Sequence, residues 1–285
     1  MLPHDTIERI GNSPRLDAIA EPLGKLVKKL LPAGAAKDLL SGTWLGHQLH
    51  PLLTDVPIGS FTSATILDLV GGQRAQKAAN LLAAVGIASV FPTAAAGLAD
   101  WSDTYGYPKR VGTVHALANA VGTSLYGASI IARHRGSKTT ATLLGLLGMS
   151  AMTAGGYLGG HLTLVRGVGV NNTFVEDPKK EWTATISDTE LEHGGHTRVD
   201  IDGVPVLLDR TTGSITAISN HCTHAGGPLD EGEFATIDGR ACVTCPWHQS
   251  VFSLDDGSVI HGPATVPERA WDVRVKNDRI EIRPR

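Results

Sequence analysis

The sequence predicts a multidomain α and β chain, in which a four-helix transmembrane bundle is followed by a small all-β domain. Three observations predict this fold. Four stretches rich in Ala, Gly and Leu follow one another within residues 44–166. Short β-branched runs separated by Asp-Gly turns fill residues 182–285. The formal charge also changes, because the first 181 residues carry a net +4 and the remainder a net −7.

Residues 1–43 are predicted to form an amphipathic N-terminal segment. Leu, Ile and Val recur at helical spacing from Leu16 to Leu31, with Lys25, Lys28 and Lys29 on the other side. This pattern indicates either an interfacial helix in contact with anionic lipid or a helix that packs against the rest of the protein.

The predicted membrane domain spans residues 44–166. Its apolar stretches lie near residues 52–71, 78–99, 112–132 and 140–163. Each is about as long as the ~20 residues that cross a bilayer, and Lys and Arg are concentrated in the connectors. We therefore expect a multi-pass protein of the cell membrane. A soluble helical bundle is the alternative, because Asp55, Asp68 and many Ser and Thr make the stretches only mildly apolar.

The start of the first stretch carries a recognisable motif. The segment Leu45–Gly59 reads LGHQLHPLLTDVPIG, and His115 and a later Gly159-Gly160-His161-Leu162 accompany it. With these residues the region from about 38 to 172 resembles the DUF2231 group of predicted membrane proteins. The resemblance implies a membrane location and a four-helix core, but no biochemical activity.

Histidines are predicted to gather at one face of the bundle. Four antiparallel spans would bring His50, His115 and His161 to the same side of the membrane. Ionisable residues at membrane depth are costly and usually functional, so a b-type haem or a quinone site is one interpretation. In the other, these side chains only cap helix ends.

Two short motifs in the C-terminal region carry metal-binding residues. Cys222-Thr223-His224 is followed by Cys245-Pro246-Trp247-His248. This set suits a two-iron cluster in which one iron takes two thiolates and the other takes two neutral imidazoles. A Cys2His2 set also occurs in zinc sites, which is the alternative.

The residues around these motifs resemble a Rieske [2Fe–2S] domain over 182–285. The similarity lies in the run from His224 to Leu229, in Phe252 and Gly257 after the second motif, and in Gly262-Pro263-Ala264, which is similar to the family's proline loop. The resemblance implies that Cys222, His224, Cys245 and His248 bind the cluster. Gln249 departs from the pattern, because the family usually has Gly there.

Cys242 and Phe252 indicate which type of Rieske domain the sequence resembles. Cys242 is expected to be a small buried hydrophobic residue, so no pair is left for a disulfide. This resembles the ferredoxin type rather than the Rieske proteins of respiratory complexes. Phe252 lacks the hydroxyl that a tyrosine would offer the cluster, and we expect a reduction potential near the low end of the Rieske range.

These observations predict single-electron transfer between the cluster and a haem, a quinone or a soluble redox protein, not a stand-alone enzyme. A non-catalytic redox or iron sensor anchored in the membrane is the alternative. A component of a Rieske oxygenase system is disfavoured, because the chain lacks a motif for a separate mononuclear iron.

The charge distribution bears on partners and orientation. An acidic β domain would be steered towards a basic surface, which argues against nucleic acid. A linker at 167–181 is expected to join the membrane domain to the Rieske domain. The basic connectors favour the cytoplasm, which would put the Rieske domain outside. The lack of an export signal instead favours a cytoplasmic Rieske domain, which is the prediction. The oligomeric state stays open.

Overall fold

A computed structural model of the protein describes residues 3–211 and 213–285. The chain divides into two compact units. The first comprises the residues up to Pro32 together with Gln48–Val168, and the second comprises Ala33–His47 together with Gly169–Arg285.

Seven α-helices precede the strands in the described residues. They are α1 (Pro3–Gly11), α2 (Asp17–Leu30), α3 (Ala35–Ser41), α4 (Leu49–Val70), α5 (Gln76–Ser102), α6 (Gly106–His134) and α7 (Lys138–Leu164). Helix α3 belongs to the second unit and the other six belong to the first.

The predicted four-helix transmembrane bundle is wrong in its helix count and in the number of spans. The four long helices lie where the apolar stretches predicted them, but three shorter helices accompany them. Within the described residues, only α5 and α7 are long and apolar enough to cross a membrane. The physical reason is polar content along their length: Asp55, Asp68 and several Ser and Thr lie in α4, and His115, Asn119 and several Ser and Thr lie in α6.

Small residues fill the interior of the first unit. Buried positions on the long helices include Ala64, Ala83, Ala96 and Gly155, whereas large apolar side chains point outward, among them Leu81, Phe91, Leu147 and Tyr157. Contacts are close: a Cβ added to Gly86 would lie 2.7 Å from the Phe61 ring, and one added to Gly155 would lie 2.8 Å from the Asn119 amide. The helices therefore pack through small residues and leave an apolar exterior.

Helix α2 packs on α5 and α6 through small residues rather than through its leucines. Ala20 and Gly24 are buried, while Ile19 and Leu30 are 60% and 73% exposed. The sequence analysis left open whether this segment contacts lipid or packs against the protein. In the structure it packs against the protein and also exposes apolar side chains along one side.

A buried ion pair joins α4 and α6. Arg133 donates to Asp68 at 2.6 Å, and these side chains are 7% and 3% exposed. Arg133 also donates to Asn80 on α5. Lys and Arg were expected to be concentrated in the connectors, whereas Arg133 lies within α6 and its side chain is buried inside the unit.

The second unit is a small all-β domain, as the sequence predicted. Its strands are β1 (Thr183–Ser187), β2 (His196–Ile201), β3 (Val204–Asp209), β4 (Thr216–Ser219), β5 (Glu233–Ile237), β6 (Arg240–Thr244), β7 (Val251–Ser253), β8 (Val259–His261), β9 (Trp271–Lys276) and β10 (Arg279–Pro284). They form three antiparallel sheets, with strand orders β1-β10-β9, β2-β3-β4 and β5-β6-β7-β8.

Asp-Gly pairs form the turns of two hairpins. Asp202 and Gly203 have φ of 53° and 82° between β2 and β3, and Asp238 and Gly239 have φ of 50° and 77° between β5 and β6. Two consecutive residues with positive φ are typical of the tight hairpin turns that match strand twist. The predicted turns at these pairs are confirmed.

A hydrophobic cluster beneath the loops anchors both cysteines of the two motifs. Cys222 and Cys245 are each 1% exposed and lie among the buried side chains of Leu229, Val243 and Phe252. The apolar core of the domain thus fixes the depth of both motif loops.

Candidate metal centre

The first motif lies in a loop between β4 and β5 that closes on itself. The N–H of Cys222 donates to the carbonyl of Gly227 at 2.9 Å, and the N–H of Gly226 donates back to the carbonyl of Cys222 at 2.7 Å. Gly226 has φ of 75°. These bonds hold Cys222 and His224 on a rigid turn.

The second motif forms a tight loop between β6 and β7. The N–H of Cys245 donates to the carbonyl of Ser250 at 2.8 Å, and the N–H of Gln249 donates to the carbonyl of Cys245 at 3.1 Å. Gln249 has φ of 65°, a left-handed conformation that favours glycine. The Rieske family usually has Gly at position 249, and Gln249 adopts a backbone conformation that glycine favours.

A third loop, residues 262–270 between β8 and β9, ties the two motif loops together. Thr223 donates through its N–H to Oε1 of Glu268 and through its hydroxyl to the carbonyl of Val266, both at 2.7 Å. The N–H of Ala264 donates to Oγ of Ser250 at 2.9 Å. The predicted proline loop thus contacts both motif loops.

The four candidate ligands form two pairs. The buried thiols of Cys222 and Cys245 are hydrogen-bonded to each other. The rings of His224 and His248 lie with their centroids 4.8 Å apart, edge to face. Each pair therefore takes one side chain from each of the two motif loops.

Burial and the neighbouring charges set the protonation of these groups. Sharing a proton raises the pKa of the Cys222 thiol and lowers that of Cys245. Burial, followed by the charges of His248 and Lys37, lowers the pKa of His224 to about 4. His224 is therefore neutral at physiological pH, which is the form that binds metal.

The donor set fits a two-iron cluster. Nδ1 of His224 is buried without a hydrogen-bond partner in the described part of the chain, as expected for an atom reserved for a metal. Within residues 3–211 and 213–285 there is no group of three or more His, Cys, Asp or Glu side chains that could hold a single metal ion. A Cβ added to Gly227 would lie 2.9 Å from Sγ of Cys245, so glycine permits the close approach of the two loops.

The segment before the β domain also contacts the first motif loop. The N–H of Asn172 donates to the carbonyl of Thr223 at 2.9 Å, and its side-chain amide donates to the carbonyl of His224 at 2.6 Å. Glu176 pairs with His221 at 2.8 Å. Sequence analysis missed Asn172 and Glu268, because neither lies in a motif and both act through contacts distant in sequence.

The third cysteine is buried in β6. Cys242 is 1% exposed, and its thiol donates to the carbonyl of Arg240 at 3.4 Å. This is the environment expected of a small hydrophobic residue. All three cysteines are free thiols.

The structure brings together two of the three membrane histidines. His50 and His115 lie with ring centroids 6.2 Å apart, and their Nδ1 atoms are hydrogen-bonded to the carbonyls of Thr93 and Gly155. His161 instead stacks against Tyr107 at 6.1 Å. Neither the structure nor the comparisons with known proteins support the predicted haem b.

Two family models match the chain. Residues 181–277 match the Rieske [2Fe-2S] domain, and residues 46–172 match the DUF2231 predicted membrane protein. The 3-phenylpropionate/cinnamic acid dioxygenase ferredoxin subunit of Photorhabdus laumondii is 31% identical over 93 residues, which are 33% of this chain and 85% of the relative. The solved ferredoxin of carbazole 1,9a-dioxygenase from Nocardioides aromaticivorans is 32% identical, covering 36% of this chain and 98% of that one, with a TM-score of 0.33.

The chain spans only a small part of the first curated relatives that it matches. Apoptosis-inducing factor 3 of Mus musculus is 29% identical over 94 residues, and the match spans 33% of this chain but only 15% of that protein. The ferredoxin subunit of Photorhabdus laumondii is instead matched over 85% of its length. By its β domain the chain belongs to the Rieske [2Fe–2S] family, and a DUF2231 predicted membrane domain precedes that domain.

Proposed function

We propose that the protein is a membrane-anchored Rieske protein that passes single electrons to or from a separate redox partner. Cys222 and Cys245 would hold one iron, and His224 and His248 would hold the other. The observation that carries this proposal is the division of four ligand side chains into a buried thiol pair and an imidazole pair.

The chain's own residues prepare the site for this role. A bound [2Fe–2S] cluster would supply reversible one-electron chemistry. The thiols are kept from water by Leu229, Val243 and Phe252. Beside the imidazole pair, Trp247 is 53% exposed and offers a surface at which a partner could approach.

The exterior of the helical unit supports membrane anchoring. Small residues are buried and large apolar residues are exposed, which is the reverse of a water-soluble bundle. In this proposal residues 44–166 form the membrane domain, 167–181 the linker and 182–285 the Rieske domain. Extraction of membranes with alkaline carbonate should leave the protein in the pellet, and its release into the supernatant would contradict the anchor.

We propose the cytoplasmic side for the Rieske domain. Burial of Arg133 against Asp68 removes one positive charge from the connector that would otherwise favour the opposite orientation. Labelling of an exposed cysteine introduced at Lys276 by an impermeant reagent tests this. Labelling only after membrane permeabilisation would support the cytoplasmic side, and labelling of intact cells would exclude it.

The proposed partner is a redox protein with a basic face. The β domain carries a net −7, and complementary charge speeds encounter between electron-transfer proteins. The ferredoxin relatives belong to dioxygenase systems, so a soluble reductase or an oxygenase component is a suitable candidate. Electron transfer to such a partner should slow steeply as the salt concentration rises.

The ligand assignment is tested by iron content and low-temperature EPR of the reduced protein. Cys245→Ser should lose the Rieske signal and most of the iron, because the sulfur pair is broken. Cys242→Ser is the matched control and should keep both, since the Cys242 thiol donates to the backbone carbonyls of Ile237 in β5 and Arg240 in β6. A full signal in Cys245→Ser, or equal loss in both variants, would contradict the assignment.

A further inference from the structure

Helix α3 lies outside the region that matches the Rieske family, yet it packs with the β domain. Residues 33–47 group with the second unit, whereas the family match begins at residue 181. Gly34 and Gly42, with φ of 133° and 84°, flank the helix and allow the chain to turn sharply at both ends.

One carboxylate on α3 holds the start of the third loop. Oδ1 of Asp38 accepts the N–H of Gly262, and Oδ2 accepts Nδ1–H of His261, both at 2.9 Å. A Cβ on Gly262 would lie 2.9 Å from Oγ1 of Thr43 and 3.5 Å from Asp38, so this approach requires glycine. The third loop is therefore clamped from α3.

The clamped loop leads directly to the metal centre. Two residues after Gly262, the N–H of Ala264 donates to Oγ of Ser250, and the carbonyl of Ser250 accepts the N–H of Cys245. A short chain of hydrogen bonds thus connects Asp38 to a ligand loop.

We propose that α3 is a positioning element of the cluster site, in which Asp38 fixes the third loop against the second motif loop. This role rests on the proposed function, because it concerns the same centre. It means that residues preceding the membrane domain in sequence adjust the redox centre that follows it.

The test compares the full-length protein in detergent with three variants. Asp38→Ala removes both acceptor oxygens and should change the EPR g values and the potential. Asp38→Asn keeps an acceptor for Gly262 and loses the negative charge, so it should keep the g values and raise the potential. Lys276→Gln, at an exposed lysine at the end of β9, is the charge control and should leave both the g values and the potential unchanged.

Hydrogen–deuterium exchange of the peptide containing Gly262 provides a readout that does not depend on iron. In Asp38→Ala the Gly262 amide should exchange about ten-fold faster, because its acceptor is lost. Unchanged exchange, g values and potential in Asp38→Ala would overturn the proposal, and Asp38→Asn serves if the alanine variant does not fold. Loss of the Rieske signal in the unmutated protein would instead reject the proposed function, while the exchange experiment would still report on the clamp.

Discussion

The backbone N–H of Thr223 donates a 2.7 Å hydrogen bond to Oε1 of Glu268, a residue that is only 3% exposed. Thr223 stands between two candidate ligands, so this bond fixes the first motif loop from the third. Burial raises the pKa of Glu268 well above its usual value, which favours the neutral carboxyl group. Its main role is therefore that of a hydrogen-bond acceptor.

Two substitutions of Glu268 should separate the effect of its hydrogen bond to Thr223 from the effect of its ionisation on stability. Glu268→Ala leaves the Thr223 N–H buried without an acceptor and should lower the free energy of unfolding by about 1–3 kcal/mol. Glu268→Gln keeps a carbonyl oxygen and should be close to neutral. Thermal unfolding followed by circular dichroism measures both, and equal stability of the alanine variant and the unmutated protein would exclude this role.

The raised pKa of Glu268 predicts that the stability of the protein depends on pH. Between the unfolded carboxyl pKa of about 4.3 and the raised folded pKa, the folded protein holds a proton that the unfolded chain has lost. Its stability therefore falls as the pH rises through this interval. The slope should be smaller in Glu268→Gln, and an identical slope in that variant would mean that other groups cause it.

Two adjacent glycines should respond differently to substitution. A methyl group at Gly227 would lie 2.9 Å from Sγ of Cys245 and 3.1 Å from the Trp247 ring, so Gly227→Ala should cost about 1–3 kcal/mol and reduce iron content. Gly226 has open space around its Cβ position and φ of 75°, which asparagine tolerates. Gly226→Asn should therefore retain its iron, and a greater iron loss in this variant than in Gly227→Ala would contradict the packing argument.

The left-handed conformation of Gln249 predicts a stabilising substitution. Its φ of 65° costs a residue with a Cβ about 1 kcal/mol relative to glycine. Gln249→Gly should raise the melting temperature, whereas the β-branched variant Gln249→Val should lower it. No difference between the two would show that this conformation is not strained.

The buried pair of Arg133 and Asp68 should be strongly coupled. Either Arg133→Met or Asp68→Asn leaves polar groups uncompensated, and each should cost about 3–5 kcal/mol. The double variant should lose less than the sum of the two, which a double-mutant cycle in detergent measures. Additive losses would mean that the pair does not interact across α4 and α6.

Local patterns in the sequence predicted much of the fold. The Asp202-Gly203 and Asp238-Gly239 turns were predictable because positive φ at both positions favours these residue types, and the long helices follow from runs of apolar residues. The number of membrane-capable helices was not predictable in this way. Polar residues in α4 and α6 are satisfied by pairs such as Arg133 and Asp68, which form only when the chain folds.

The candidate site was predictable in its ligands but not in its supports. Cys222, His224, Cys245 and His248 stand in short motifs whose spacing indicates their chemistry. Asp38 contacts the third loop and Asn172 contacts the first motif loop, both from positions with no motif and over 224 and 52 residues of sequence. Topology predicted that His50, His115 and His161 gather at one face, whereas the structure pairs His50 with His115 and stacks His161 against Tyr107.

The most direct test of the account is pulsed EPR of the reduced full-length protein carrying isotopically labelled histidine. Two strongly coupled nitrogens, lost together with the Rieske signal in His248→Ala, are the predicted result. An EPR signal without histidine nitrogen couplings would contradict the central claim that Cys222 and Cys245 hold one iron while His224 and His248 hold the other.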